Sequence, residues 1–324
     1  MIDAFAGKSV LVIGDLMLDE FIWGKVSRIS PEAPVPIVNV TGESYYAGGA
    51  ANVARNVREF TSRAAVMGFI GTDPNGQRLL QLIESAGIDT STVQRDPAWP
   101  TPVKTRIIAR NQQVVRVDRE QKSLLSPEQT ALAMEHLEGV IGSVDGIIVA
   151  DYGKGFLTQP LADHICRQAR AHGKVLAVDP HAHRALSWEG ATAIKPNRAE
   201  AFIAAGLPNP DPIVPALNDT ALLEAARRLA RQWKSDHLLI TLGEHGMLLF
   251  SGDAPAYHTA TRAQAVFDVS GAGDTAIAVF TLALVAGASP CEAAEMANLA
   301  SGIVVGKLGT ATVTLSELQA RITA

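Results

Sequence analysis

Short apolar runs alternate with helical patterns along most of this 324-residue chain, and few folds accept that rhythm. Residues 9–13, 64–67, 146–149, 175–178 and 238–241 read as strands, each dominated by aliphatic side chains. Between them, residues 76–85, 127–140, 159–171 and 220–233 carry helical spacing. Pro127 and Pro160 fall where a first-turn proline opens a helix, because the N–H it lacks would have no partner there. Alternation of this kind predicts an α/β fold in three layers, a mostly parallel sheet with helices on both faces. Ligands of such sheets lie at the carboxyl ends of strands, which marks Gly14-Asp15, Asp151, Asp179 and Gly243.

Two segments break the rhythm. Residues 20–45 contain Val35-Pro-Ile-Val-Asn-Val40, where Pro36 suits an edge strand because it cannot donate to a ladder on both sides. Residues 103–118 carry two extended runs around Asn111-Gln112, the pattern of a hairpin. Together they predict a small sheet projecting from the main body, with open edges and an apolar face that needs cover. A lid over a ligand, an interface in a homodimer, or both would supply that cover. Residues 208–215 form only a proline-rich loop, and there is no internal repeat.

Composition narrows the function. Acids outnumber bases by 33 to 28, which speaks against a basic nucleic-acid footprint. Hydrophobic residues at 47% provide for a sizeable core, and 27 glycines with 19% charged residues do not suit a coiled coil or a disordered tail. Cys166 and Cys291 are too few for a disulfide framework, suit a reducing cytoplasm, and stand in no nucleophile setting. The N-terminus lacks a basic leader, and the longest apolar stretch, residues 276–286, falls short of the roughly 20 residues a bilayer requires. It reads as a helix inside a larger core, in a cytoplasmic protein without a membrane partner.

The most informative stretch is Asp268-Val-Ser-Gly-Ala-Gly-Asp274, which runs straight into a long apolar helix. A glycine-rich turn at a helix start gathers free N–H groups and the positive end of the helix dipole around one point, where an anion belongs. A carboxylate beside an anion repels it. Asp274 makes sense there if it takes a proton from a hydroxyl attacking a phosphorus atom held by the amides of Gly271, Ala272 and Gly273. The plain alternative is an acid favourably placed at a helix start. Gly271-Ala-Gly-Asp-Thr-Ala276 also fits the relaxed dinucleotide fingerprint, with Glu292 downstream, but Glu292 falls in a helical run and the motif comes late in the chain. No G-x-x-x-x-G-K-[ST] occurs, which disfavours a P-loop enzyme.

This turn resembles the C-terminal signature of the ribokinase or PfkB family of carbohydrate kinases. Gly48-Gly-Ala-Ala-Asn-Val-Ala-Arg-Asn56 is similar to that family's N-terminal glycine signature, Lys195-Pro-Asn-Arg-Ala-Glu200 to its N-x-x-E motif, and Thr241-Leu-Gly-Glu-His-Gly246 to its strand–turn beside the nucleotide. The four matches occur in family order and span most of the chain. Ser270 departs from the threonine or valine of many members. More narrowly, Gly14-Asp-Leu-Met-Leu-Asp-Glu20, Ser27-Arg-Ile-Ser-Pro-Glu-Ala-Pro-Val-Pro36, Lys104-Thr-Arg-Ile-Ile-Ala-Arg-Asn-Gln-Gln113 and Asp151-Tyr-Gly-Lys-Gly155 resemble heptose 7-phosphate kinases. Those enzymes phosphorylate the anomeric hydroxyl of D-glycero-D-manno-heptose 7-phosphate on the route to ADP-heptose and lipopolysaccharide.

The resemblance implies a single ribokinase-like domain over residues 1–324, with its lid near 20–45 and 103–118, and the stand-alone form rather than the fusion to a nucleotidyltransferase. It implies ATP and magnesium as cofactors and allows potassium, which many relatives hold on backbone carbonyls. Asp274 becomes the base, with the amides of Gly271, Ala272 and Gly273 stabilising the transferring phosphoryl group. Asn197 and Glu200, three apart at a helix start, would hold magnesium directly or through water, the alternative being a simple helix-capping pair. Asp15 and Asp19, expected near the end of the first strand, would accept hydrogen bonds from sugar hydroxyls. Gly48 and Gly49 would admit the ring and Asn52 would bond it, unless these small residues serve helix packing. Lys104 and Arg106, sharing a strand face, with Asp151 and Lys154 after another strand, would complete the sugar phosphate site, the alternative for any single cation being a solvated surface charge. Thr241, Gly243, Gly246 and Asn298 would border the nucleotide, the last within the small, apolar segment 297–309. His181 and His183, with no other obvious metal ligands beside them, read as ordinary solvated or hydrogen-bonded histidines. The alternatives are a PfkB kinase for another sugar, a dinucleotide oxidoreductase, or a non-catalytic sensor.

Overall fold

The computed structural model describes residues 2–323 apart from 111, 122, 253, 264–265, 308 and 310. Asn111, at the expected hairpin tip, and Leu308, in the segment expected beside the base, lie outside the described residues. Strand β1 (Ser9–Gly14) is buried along its whole length, as its unbroken run of apolar residues requires. It pairs in parallel with β4 (Arg63–Ile70) on one side and β8 (Gly146–Ala150) on the other. Beyond β4 lies β5 (Asp89–Arg95). Beyond β8 come β9 (Val175–Asp179), the two-residue β10 (Ala193–Ile194) and β11 (His237–Thr241), all parallel. Two antiparallel strands, β12 (Met247–Ser251) and β13 (Tyr257–Thr259), close that edge of the nine-stranded sheet.

Side chains of a strand alternate between its faces, and here each face has its own core. Val10 and Val12 enter one with helices α1 (Ala50–Arg58), α2 (Pro74–Ser85), α7 (Ala272–Val285), α8 (Pro290–Val304) and α9 (Leu315–Thr323). Leu11 and Ile13 enter the other with α3 (Pro127–Val140), α4 (Gln159–Ala171), α5 (Arg198–Ala205) and α6 (Thr220–Trp233). The expected three layers are present. Local chemistry sets several helix starts: Ser126 and Gln129 form a capping box around Pro127, and Asp219 accepts from Leu222 N–H at 3.0 Å. Helix α7 is buried from Thr275 to Ala283, as an all-round apolar sequence demands. No helix among the described residues is long and apolar enough to cross a membrane.

The second sheet has the order β3 (Pro36–Gly49), β2 (Leu16–Ile29), β6 (Val103–Ala109), β7 (Gln112–Arg119). Pro36 sits on an edge strand, as expected. The outer pairs are antiparallel and the central β2–β6 pair is parallel. One expectation needs correcting: Asp19 is not at the end of the first strand but on β2, because that strand begins at Leu16, almost directly after β1. Its first residues are buried and its far end is exposed, so it grows out of the core without a connecting loop.

Candidate active site

Helix α7 opens without a side-chain cap, on Gly271 at φ +81°, a left-handed backbone that glycine adopts freely. In its first turn the Ala272 N–H is spent on Val269 O at 3.3 Å. The N–H groups of Gly273 and Asp274 have no helical carbonyl four residues back, so they and the dipole's positive end remain for an anion. Asp268 shapes the turn beneath, accepting from the N–H of Ser270 at 2.9 Å and of Gly309 at 3.1 Å.

A cavity of about 710 Å³ lies against this turn. It is walled by Val269, Gly273 and Asp274, by Asp151, Tyr152 and Lys154 after β8, and by Asp179 at the end of β9 and His181 beyond it. Lys195 after β10, the start of α5 (Asn197, Arg198, Glu200), Thr241 at the end of β11 with Gly243 beyond it, and Lys104 from the second sheet complete it. Nearly every wall is thus the carboxyl end of a parallel strand, as the fold class predicted.

Asp274 is held between two donors. Tyr152 Oη donates to Oδ1 at 2.7 Å and Asn52 Nδ2 donates to Oδ2 at 2.6 Å. Burial pushes its carboxyl above the usual range; the two hydrogen bonds and the Lys195 charge oppose that push, and Asp19 adds to it. Beneath the turn, Lys195 pairs with Asp179 at 3.1 Å, its ammonium 3.4 Å from where a Gly273 side chain would begin. Burial raises the Asp179 carboxyl to about 7 against the pull of Lys195, with Glu200 and Asp274 contributing to the rise. Burial alone would lower Lys195; the charges of Asp179 and Glu200 outweigh it and hold the ammonium protonated.

The cations on the side of the second sheet differ in their freedom. Lys154 is ion-paired with Glu120, and Arg106 with Asp19 at 2.5 Å. Lys104 has no ion pair among the described residues, and burial followed by the neighbouring Lys154 charge lowers its proton affinity. Gly48 permits the placement of Asp19, since a Cβ there would lie 2.3 Å from Oδ2. Gly49, at φ +61°, would bring a Cβ to 2.4 Å from Asp15 O, so these glycines serve close packing here.

Four expected ligand residues are otherwise engaged. Asp15 accepts three backbone N–H groups, from Tyr152 (3.0 Å), Lys154 (3.1 Å) and Phe156 (3.0 Å); it anchors the loop after β8 and does not reach the cavity with a free oxygen. Asn298 is 4% exposed, and its amide donates to Thr259 Oγ1 at 3.0 Å and Ala260 O at 2.6 Å, so it fastens a loop and is not brought to the cavity. Asn197 and Glu200 line the cavity but form a capping box, Asn197 Oδ1 accepting from Glu200 N and Glu200 Oε2 from Asn197 N. No cluster of three or more His, Cys, Asp or Glu among the described residues suits a metal ion. Gly246 lies in the turn behind Gly243, its N–H donating to Gly243 O at 3.1 Å. Arg184 bonds Asp151 Oδ1 at 3.3 Å, while Asp151 Oδ2 and His181 Nδ1 are buried without partners.

Sequence reasoning quoted Tyr152, Lys195 and Arg198 within its motifs but gave them no role of their own. A polar side chain directly after a strand or beside a helix cap was the signal available.

A helix start that offers amides to an anion, a carboxylate held beside it and a cavity at the strand ends are the parts of a carbohydrate kinase. The model of the pfkB family carbohydrate kinases matches residues 8–317, and the chain belongs to that family. It is 42% identical over 322 residues to the bifunctional protein HldE of Desulfatibacillum aliphaticivorans, covering 99% of this chain and 64% of the relative. The chain therefore spans less than two thirds of that relative's length. Among solved structures it is similar to Arabidopsis thaliana ribokinase complexed with ribose and ATP (TM-score 0.75, 16% identity, 98% of this chain and 99% of that one). It is also similar to Escherichia coli phosphofructokinase-2 in complex with potassium (TM-score 0.74, 18% identity, 98% of each chain). Likeness at that identity is one of fold, which is ribokinase-like.

Proposed function

We propose that this kinase transfers the terminal phosphoryl group of ATP to the anomeric hydroxyl of D-glycero-D-manno-heptose 7-phosphate, giving the 1,7-bisphosphate for ADP-heptose synthesis in the cytoplasm. What carries the reading is the presence in one cavity of Asp274 at an anion-binding helix start and of Lys104, an ammonium without an ion pair among the described residues. A plain sugar would give Lys104 nothing to neutralise; a sugar that already bears a phosphate does. The four heptose kinase-like motifs and the 42% identity to a protein named HldE point the same way.

Asp274 takes the proton of the anomeric hydroxyl as its oxygen bonds to the γ-phosphorus. The bond from phosphorus to the β,γ-bridging oxygen breaks, and its electron pair leaves with ADP. The Gly273 and Asp274 amides and the Lys195 ammonium face the charge that shifts onto the moving group, so catalysis is alignment and neutralisation. Magnesium would be held through water by Asn197 and Glu200, whose cap engages the single side-chain oxygen of Asn197 and one of the two on Glu200. That suits an ion that keeps several waters and takes its inner ligands from phosphates, and bound there it would neutralise the nucleotide. Potassium activation is proposed on carbonyls near the anion turn, in line with the potassium complex of the E. coli relative in fold.

The second sheet leaves Val40 56%, Val115 45% and Val117 41% exposed. A second copy of the chain covering this sheet would bury them, and the proposed assembly is a homodimer.

A substrate panel scored for ATP consumption tests the assignment, comparing heptose 7-phosphate with ribose, fructose 1- and 6-phosphates and adenosine. Heptose 7-phosphate is expected to give the highest kcat/KM; preference for any other member overturns the substrate assignment. Asp274→Asn should bind ATP as the parent does and lose at least 100-fold in turnover, in the range assigned to a general base. Near-parent turnover would remove Asp274 from the reaction.

A further inference from the structure

The bonds around Asp274 come from elements far apart in sequence, and they do not contribute alike. Asn52 of α1 lies 222 residues away and Tyr152, in the loop after β8, lies 122 away. Asn52 is itself braced: Asn56 Nδ2 donates to its carbonyl at 2.9 Å, and Thr275 Oγ1, next to the base on α7, donates to Asn56 Oδ1 at 2.7 Å. That ties α1 to α7 through a buried polar chain. Tyr152 comes from the third side. Its single O–H is spent on Asp274, and its backbone N–H is fixed on Asp15 Oδ2 at 3.0 Å. A phenol so committed has no hydrogen left to donate to a substrate.

We propose that Tyr152 is a positioning residue for Asp274: its phenol holds the carboxylate in the orientation from which it takes the substrate proton, and the Asp15-anchored loop sets where that phenol stands. The proposal rests on the reading of Asp274 as the base. It has a consequence for protonation, since a donor on a carboxylate favours the ionised form. Five groups face Asp274. Asn52 and Tyr152 donate to it, Lys195 attracts its charge, Asp19 of β2 repels it, and Asp179 at the end of β9 is coupled to it unfavourably. Removing the phenol shifts this balance towards the protonated acid, which cannot act as a base.

The test is the pH dependence of kcat/KM for the ATP reaction, measured on the full chain with heptose 7-phosphate or the best substrate of the panel. Tyr152→Phe should move the acid limb upward by about one pH unit, a tenfold loss below the limb that recovers above it. Incorporating 3-fluorotyrosine at position 152, equal in shape and a stronger donor, should move the limb downward. Carbon-13 NMR titration of the Asp274 carboxyl, assigned by its loss in Asp274→Asn, should show both displacements without turnover. It carries the test with the fluorinated protein if Tyr152→Phe does not fold. A uniform loss of rate with an unmoved limb and an unmoved carboxyl titration would overturn the role of Tyr152 while an inactive Asp274→Asn left the base in place. Near-parent turnover in Asp274→Asn would overturn the base reading, and this one with it.

Discussion

Asp15 separates two accounts of the same residue, because the sequence points to sugar hydroxyls and the structure commits it to the backbone. One oxygen accepts from Tyr152 and Lys154, the other from Phe156. In Asp15→Asn the carbonyl can keep the first pair, but the amide then points donors at the Phe156 N–H. One charge-assisted bond, worth about 1.5–3 kcal/mol, is lost and a buried N–H is left unsatisfied at a cost of about 1–3 kcal/mol. Part of this is offset, since burial and the Asp151 charge push the Asp15 carboxyl up and a neutral amide escapes both. The net loss is about 2–3 kcal/mol. With an unfolding entropy of about 2.1 cal/mol/K per residue, a chain of this length should melt about 3–4 °C lower. Because the displaced loop carries Tyr152 and Lys154, turnover should fall more than nucleotide affinity. Differential scanning calorimetry with ATP titration and initial rates reads all three quantities. An unchanged Tm with a raised KM for the sugar alone would refute the anchoring role and restore the hydroxyl contact.

Three further outcomes are expected. Lys104→Ala should raise KM for the phosphorylated sugar about 10- to 100-fold, the worth of a charge-assisted hydrogen bond, and leave KM for ATP within about twofold; equal effects on both would take Lys104 out of the sugar site. The Asp179 carboxyl lies at about 7 in the native state against 3.8 in the free side chain, so between those values the folded protein keeps a proton that the unfolded chain has released. Its contribution to stability is therefore full below about pH 4 and is lost as pH rises to 7, and Asp179→Asn should make the fall of Tm across that window shallower; an unaltered slope would contradict the shift. Light scattering at micromolar concentration should give twice the chain mass, and a clean monomer would leave the apolar residues of the second sheet without their proposed cover.

Much of the fold was legible because its signals are local. Residues 127–140, 159–171 and 220–233 are helices over the ranges expected, each with a proline or an acidic cap at its start. The β2 start was missed because Leu16 and Met17, buried like β1, carry no turn signal to mark the change of sheet. The two residues of β10 are too few to show any period. At the site, the anion turn could be read because turn, helix start and carboxylate are contiguous. The roles of Asp15 and Asn298 could not, since their partners are mostly backbone groups, which every residue type supplies alike. Tyr152 was hidden for the opposite reason: its partner is a particular side chain 122 residues away, and only the folded sheet brings them together.

What remains is how, on the proposed reading, a base would work beside two phosphate-bearing ligands. The ionisable groups around the cavity are mostly compensated: Asp151 by Arg184, Asp179 by Lys195, Asp19 by Arg106, Lys154 by Glu120 and Arg198 by Asp219. Glu200 is tied to its helix cap and Asp15 to three backbone amides. Among the described Asp, Glu, Lys and Arg side chains lining the cavity, that leaves Asp274, bonded only to neutral donors, and Lys104, without an ion pair. On the proposed reading these are the two places where charge must change hands. The Lys154 charge opposes that of Lys104, and on the proposed reading the phosphate of the sugar would offset this repulsion where a neutral sugar would not. Asp274 gains a proton as the hydroxyl loses one, which lessens its repulsion of the incoming phosphoryl group as that group approaches. The pairing elsewhere keeps both groups from being quenched by a neighbour before substrate arrives.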